Sequence, residues 1–221
     1  LSNINIIFSD YVTEGKLPGA VVLAARNGKI VYHQAIGMSD MEQKIPMQTD
    51  NIFRIASQTK AVVSVGIMML QEEGKILLSD TLSKYIPEFE HTKVALALSK
   101  QRKKGKMNAH KIVKAKRQIR IRDLLTHTSG IGYGYGPAKK KWEKAGIQGW
   151  YFAHRGEPIL ETVKRMAKLP MDAHPGERYV YGYSTDILGA VIEVVSGQPL
   201  DVFLKERILD PLVMLDTHFY L

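Results

Sequence analysis

The chain has 221 residues, 45% of them apolar and 24% charged, which is ordinary for a globular protein and enough for one large domain or two small ones. It contains no cysteine, so disulfides, thiolate nucleophiles and thiolate metal sites are excluded. The formal charge of +9 is local: residues 100–122, "KQRKKGKMNAHKIVKAKRQIRIR", hold 11 Lys and Arg and no acid, while the remaining 20 basic residues face 22 acidic ones.

Residues 1–16 read as an amphipathic helix, with Ile4, Ile7, Phe8, Tyr11 and Val12 at helical spacing. Pro18-Gly19 ends it. "AVVLAARNGKIVYHQAIG" predicts two strands joined at Asn27-Gly28, a strong hairpin signal. After a polar connection, a helix is predicted from about Ser57 to Glu73, stopped by Gly74. Its apolar run, Ala61 to Leu70, is interrupted by Ser64 and falls short of the ~20 residues of a membrane span. "LLSDTLSKYIPEF" carries a capping pattern at Ser79 or Asp80. The basic segment follows and reads as a solvated, mobile insertion. A run of this charge suits nucleic acid, but no aromatic side chain interleaves it, so no nucleic-acid partner is expected. A short helix "IRDLLTH" leads to the Gly/Tyr loop "TSGIGYGYGP"; residues 138–156 read as loop-rich. Three more helices are expected: "EPILETVKRMAKLP"; "STDILGAVIEVVSG", with Ser184 or Thr185 as N-cap; and "PLDVFLKERIL", begun by Pro199. Strands near the start followed by many helices indicate a mixed α/β architecture.

The chemistry concentrates at "FRIASQTKAVVSVGIMML", residues 53–70. A helix apolar on nearly every side is expected inside the protein. Ser57 and Lys60, three residues apart, share one face of its first turn. A serine hydroxyl needs a nearby base to become a nucleophile. A lysine amine serves if burial and nearby positive charge lower its pKa toward ~7–8. The alternative is that Ser57 only caps the helix and Lys60 reaches to water. About one S-x-x-K is expected by chance at this composition, so the weight lies in the context.

In that context the segment "FRIASQTKAVVSVGIMMLQEEGKILLSDTLSKYIPEF" resembles the first catalytic block of the serine β-lactamase-like hydrolases. That superfamily includes class C β-lactamases, D-alanyl-D-alanine peptidases and family VIII carboxylesterases. "IRIRDLLTHTSGIGYG" and "HPGERYVYGYSTDILGAVIEVVSGQPLDVFLKERILDPLVMLDTHF" resemble two further blocks in the family's order, and the opening hairpin resembles its first strands. The resemblance implies a β-lactamase/transpeptidase-like fold, α/β of the α+β type, with an antiparallel sheet, flanking helices and a large helical region. Residues 1–75 would give the first helix, the hairpin and the nucleophile helix, and 76–221 the helical region with its basic insertion. It implies Ser57 as acylated nucleophile, Lys60 as its proton-accepting partner and Tyr181 as the family's tyrosine; which of Lys60 and Tyr181 is the base stays open. Tyr133 and Tyr183 would face a substrate, a small ester or amide.

Two departures shape the expectation. The family's tyrosine motif is commonly Y-x-N, whereas here it is Tyr181-Gly182-Tyr183, which favours an esterase acting on short acyl esters over a β-lactamase or peptidase. Tyr183-Ser184 is an alternative register. The family's third motif, K/H-x-G on an edge strand, is not found after Tyr181; Lys144-Ala145-Gly146 and His154-Arg155-Gly156 match by letters but precede it. The chain therefore reads as the front portion of a longer protein, with a C-terminal segment or second chain completing the sheet. A catalytically inactive binding module of the same fold is the rival from another class.

Other chemistries find little support. The His residues show no HExxH, and the Gly/Tyr loop no GxGxxG, so neither a metal nor a cofactor is predicted. His127 lacks a GxSxG elbow and reads as a turn residue. Tyr135, Trp150 and Tyr151 read as loop anchors or as the border of an acyl pocket. Asp186 and Glu193 are expected at caps and on the solvated face. The compartment stays open between bacterial periplasm and cytoplasm.

Overall fold

A computed structural model describes residues 2–97, 110–154 and 156–219. Contacts gather the chain into two compact units, Leu1–Ile55 and Ala56–Leu221.

The first unit holds α1 (Ser2–Thr13), β1 (Gly19–Arg26), β2 (Lys29–Asp40) and the short β3 (Ile45–Pro46) in one antiparallel sheet of order β1-β2-β3. The hairpin turns at Asn27-Gly28, whose φ values of 51° and 71° are those a tight two-residue turn requires. Helix α1 packs on β2. It half-buries Ile4, Phe8 and Val12, while Ile7 and Tyr11 stay exposed, so its apolar stripe is narrower than its sequence suggests.

Every fully buried apolar side chain among the described residues lies in the second unit. Its axis is α6 (Ser184–Ser196), which buries Ile187, Leu188, Ala190, Val191 and Ile192. Around it pack α2 (Thr59–Glu72), α3 (Ile121–Leu125), α5 (Ile159–Met166) and α7 (Leu200–Leu204). Gly197, at φ 73°, ends α6 in the left-handed conformation that glycine adopts without penalty. The residue capping α6 is Tyr183, with Ser184 already inside the first turn. The expected cap at Ser79 or Asp80 opens no α-helix; Asp80 instead ties a turn, accepting bonds from Leu77 N at 3.0 Å and Lys84 Nζ at 2.8 Å.

Two expectations change here. Helix α2 is not apolar-in on every side: Val63, Gly66, Ile67 and Leu70 are buried, whereas Val65 is 48% exposed and Ala61 and Met68 are exposed as well. Only the stripe that meets α6 and α7 is covered, and it is close-fitted there: a Cβ on Gly66 would lie 3.0 Å from the Ile192 side chain. This packing also places α2 with the helical region, so the contact boundary falls near residue 55 and not at 75.

The basic segment is the second. Of residues 100–122, residues 100–109 lie outside the described residues. The rest is built into the fold. β4 (Lys93–Ala97) pairs antiparallel with β5 (His110–Lys114), and β4 also bridges to Met171. Arg117 grips the buried Asp123 with two bonds of 2.6 and 2.9 Å, and Lys116 meets Glu177 at 2.6 Å. These strands escape a pattern reading because lysines interrupt their alternation; burial of Val94 and Ala95 selects them.

Candidate active site

Three elements of the second unit build the site. The first is the entry to α2. Ala56 holds φ 43°, a left-handed conformation that costs a non-glycine residue about 1 kcal/mol or more. A single tight turn, Ala56–Gln58, then presents Ser57 at the surface, and Lys60 follows in the first turn of α2, half-buried. The second is the loop 127–137; the third is the extended segment 178–183 that leads into α6.

The loop and the segment are strapped together. Val180 N donates to His127 O at 2.7 Å, and the buried hydroxyls of Ser129 and Ser184 lie 2.9 Å apart. Between these ties the backbones touch: a Cβ on Gly182 would meet Ile131 O at 2.4 Å and Gly132 Cα at 2.5 Å. Gly182 is therefore required for close approach. This crossing carries Tyr181 to α2.

Ser57 Oγ and Tyr181 Oη are 2.7 Å apart, and Lys60 Nζ donates to Ser57 Oγ at 3.2 Å. Lys60 Nζ also lies 4.9 Å from the Tyr181 ring centroid. Tyr181, 124 positions from Ser57, thus joins Ser57 and Lys60 in one hydrogen-bonded cluster. Tyr183, the alternative register, is elsewhere. It is 1% exposed, stacked on Trp142 with centroids 6.1 Å apart, and its hydroxyl donates to Gly149 O at 3.0 Å. Its ring has no surface left to offer a substrate, which corrects the expectation that it faces one. The large aromatic is simply the best filler of that core position. Tyr133 sits between the two tyrosines, edge-on to Tyr181 at 5.7 Å and to Tyr183 at 4.8 Å.

The electrostatics also reverse an expectation. Burial does push the Lys60 ammonium down, and it is the largest single influence. The Tyr181 oxygen, Tyr133 and the Asp186 carboxylate together outweigh it, so the Lys60 pKa is raised above 10.5, not lowered. Tyr181 moves the other way. Its bond to Ser57 and the nearby Lys60 charge hold the phenol below its usual 10.0. Lys60 and Tyr181 thus shift in opposite directions, each favouring the other's charged form.

Asp186 is the residue that pattern reading misplaced. It stands in the first turn of the buried helix α6, half-buried and charge-coupled to Lys60. Burial pushes its carboxyl up to about 6. A signal existed: an acid in an otherwise apolar helix has no solvated face to occupy. Glu193 is structural, accepting from Leu200 N at 3.1 Å at the start of α7. A folded-state pKa of about 6 against an ordinary 3.8 means that ionised Asp186 weakens the fold. That penalty is absent near pH 4, grows between about 4 and 6, and is complete above. Asp186→Asn is therefore expected to stabilise the protein by up to about 3 kcal/mol at pH 7–8 and by almost nothing at pH 4. Urea denaturation at both pH values measures it; equal gains at both would contradict the assignment.

His127 packs against Tyr181, with ring centroids 5.0 Å apart, and takes φ 54°. Its buried Nδ1 has no partner within the structure, and burial, helped by the Lys60 charge, keeps the imidazole neutral. It supports the Tyr181 ring and makes no Ser–His pair. Tyr135 and Trp150 are exposed, at 62% and 72%, while Tyr151 anchors its loop through Arg165. Lys144-Ala145-Gly146 only closes α4 (Lys139–Lys144), with Gly146 at φ 69°; His154-Arg155-Gly156 includes Arg155, outside the described residues. Among the described residues no group of three or more His, Asp or Glu side chains is placed to hold a metal, and no single helix is long and apolar enough to cross a membrane.

Comparison with known proteins shows the family. The family model described as Beta-lactamase matches residues 4–221. The chain belongs to the β-lactamase family. It is 32% identical over 219 residues to esterase EstB of Burkholderia gladioli, covering 99% of this chain and 51% of that protein. It is 35% identical over 209 residues to protein Rv1367c of Mycobacterium tuberculosis, covering 93% and 48%. Among solved structures, EstCE1, a hydrolase with promiscuous acyltransferase activity, superimposes with a TM-score of 0.79 at 30% identity, over 96% of this chain and 51% of that one. The fold is thus β-lactamase/transpeptidase-like, with antiparallel strands and several helices. The chain spans about half the length of the relatives it matches.

Proposed function

We propose that this chain carries the nucleophile, its base and the base's cation in a serine hydrolase that works through an acyl-enzyme on Ser57. Short acyl esters are the substrate class. The observation that carries this reading is the 2.7 Å approach of Tyr181 Oη to Ser57 Oγ, with the Lys60 amine on the same hydroxyl. Tyr181, as phenolate, accepts the Ser57 proton while Oγ attacks the ester carbonyl carbon. The oxyanion forms near the start of α2, where the Ser57 N–H and the helix dipole favour negative charge. Collapse expels the alkoxide, which takes the proton back from Tyr181. Water, deprotonated by the same phenolate, then releases the acid. The Lys60 ammonium keeps the phenolate available throughout.

Two features support an ester over a β-lactam. Tyr183 stands where the family commonly has an amide, and its side chain is locked in the core. The matched relatives include an esterase at 32% identity. A β-lactamase or D-alanyl-D-alanine peptidase is the second reading, supported by 28% identity to a putative D-alanyl-D-alanine carboxypeptidase of Escherichia coli. The reading includes a further segment or second chain that supplies the family's third motif, in keeping with the half-length coverage of the relatives.

A paired assay tests it, with a nitrophenyl short-chain ester and a chromogenic cephalosporin, each on the intact protein and its Ser57→Ala variant. Ester turnover is expected, falling by at least ~10³-fold in Ser57→Ala, together with a phosphonate adduct on Ser57. Cephalosporin turnover without ester turnover selects the second reading. No adduct and no turnover selects a binding module.

A further inference from the structure

The segment that delivers Tyr181 carries a second tyrosine to the same side. Side chains alternate along extended backbone, and burial alternates here: Val180 and Gly182 are buried, while Tyr179 and Tyr181 are exposed, at 62% and 42%. The two exposed rings lie nearly parallel, 18° apart in plane with centroids 6.4 Å apart, within the range of offset-stacked pairs. His127 packs against both, 5.8 Å from Tyr179 and 5.0 Å from Tyr181.

The backbone on either side of Tyr179 is tied down. Arg178 Nη2 donates to Asp172 O at 2.9 Å, and Val180 N donates to His127 O at 2.7 Å. A large ring is thus kept out of the core yet ordered by two ring contacts. Such a surface loses little freedom when a ligand settles on it. Tyr135 and Trp150 are also exposed, but they make no such ring contact among the described residues.

The reaction fixes which half of an ester would lie there. In the mechanism above, collapse of the intermediate hands the Tyr181 proton to the leaving alkoxide. That oxygen must come within hydrogen-bond reach of Tyr181 Oη, ~2.6–3.2 Å. The alcohol half of the ester is therefore the half beside Tyr181, and the exposed ring stacked next to Tyr181 is Tyr179.

We propose that Tyr179 is a specificity-determining residue for the alcohol half of the substrate: its exposed ring is a stacking platform that favours esters of aromatic alcohols. The inference rests on the assignment of Ser57 and Tyr181 above and deepens it by naming the alcohol. Tyr179 touches the leaving group and exchanges no proton with it.

Benzyl acetate and ethyl acetate form the same acyl-enzyme and differ only in the alcohol. kcat/KM is measured for both on the intact wild type, Tyr179→Leu and Tyr179→Phe. Any support that Tyr179 gives the Tyr181 ring affects both esters and cancels in their ratio. The benzyl-to-ethyl ratio is expected to fall ~5-fold in Tyr179→Leu, the size of one lost ring contact, and to stay at the wild-type value in Tyr179→Phe. An unchanged ratio in Tyr179→Leu overturns the proposal and leaves Tyr179 as a prop for Tyr181. An equal fall in Tyr179→Phe also overturns it, because the hydroxyl and not the ring then carries the preference. Binding is read without turnover by NMR of ring-¹³C tyrosine in Ser57→Ala, with benzyl alcohol as the probe. The Tyr179 resonance, identified by its loss in Tyr179→Phe, is expected to shift; no shift overturns the proposal. Retained ester turnover in Ser57→Ala sinks the nucleophile assignment instead, and the benzyl alcohol shift still decides the role of Tyr179.

Discussion

Tyr181→Phe is expected to lose ester turnover by ~10³-fold while folding normally. The phenol oxygen is 2.7 Å from Ser57 Oγ and is the group best placed to take its proton. A positioned general base is worth roughly 10²–10⁴ in rate. The ring contacts that seat the side chain, to His127 at 5.0 Å, Tyr133 at 5.7 Å and Tyr179 at 6.4 Å, survive the substitution. The loss therefore belongs to kcat and not to stability. In the wild type, kcat is expected to rise with pH as Tyr181 ionises, with a limb below the ordinary phenol value of 10.0. It is expected to fall again only above 10.5, where the Lys60 ammonium finally loses its proton. Tyr181→Phe removes the first limb. A variant that keeps more than about a tenth of wild-type kcat, with the same acidic limb, would transfer the base role to Lys60.

Gly182→Ala is expected to be severely damaging. All three atoms nearest the new Cβ are backbone, at 2.4 to 2.5 Å, so no side chain can swing aside. The two segments would have to separate, against the Val180–His127 and Ser129–Ser184 bonds that hold them. Overpacking of this kind costs about 1–3 kcal/mol before those buried bonds are strained. A destabilisation of about 3 kcal/mol or more is the expected outcome in urea. Turnover should fall further than stability explains, by ~10²-fold in the fraction still folded, because Tyr181 and Tyr133 move together. Wild-type stability in Gly182→Ala would show that the crossing is looser than its distances imply.

Part of this site was legible before any coordinate. The Asn27-Gly28 hairpin, the stop at Gly197 and the pairing of Ser57 with Lys60 on one turn follow from local rules, since each depends on residues within four positions. The β4–β5 ribbon was not legible, because its strands are chosen by burial against distant residues such as Met171 and not by their own alternation. Nor was the one-sided burial of α2: an apolar sequence tells that a helix has surface to bury, while its neighbours decide which stripe is covered.

For this protein the sequence by itself determined the family, the turn that carries Ser57 and Lys60, and the tyrosine that meets them, because three ordered blocks carry those. Tertiary structure alone decided the charges and the supporting cast. Lys60 is favoured as an ammonium, Asp186 is half-buried beside it, Tyr183 fills the core, and Tyr133 stands edge-on between Tyr181 and Tyr183. The reason is that pKa values and side-chain partners are set by what lies within a few ångströms in space, and in this site those neighbours come from α2, the 127–137 loop and the entry to α6, with Ser57 and Tyr181 124 positions apart along the chain.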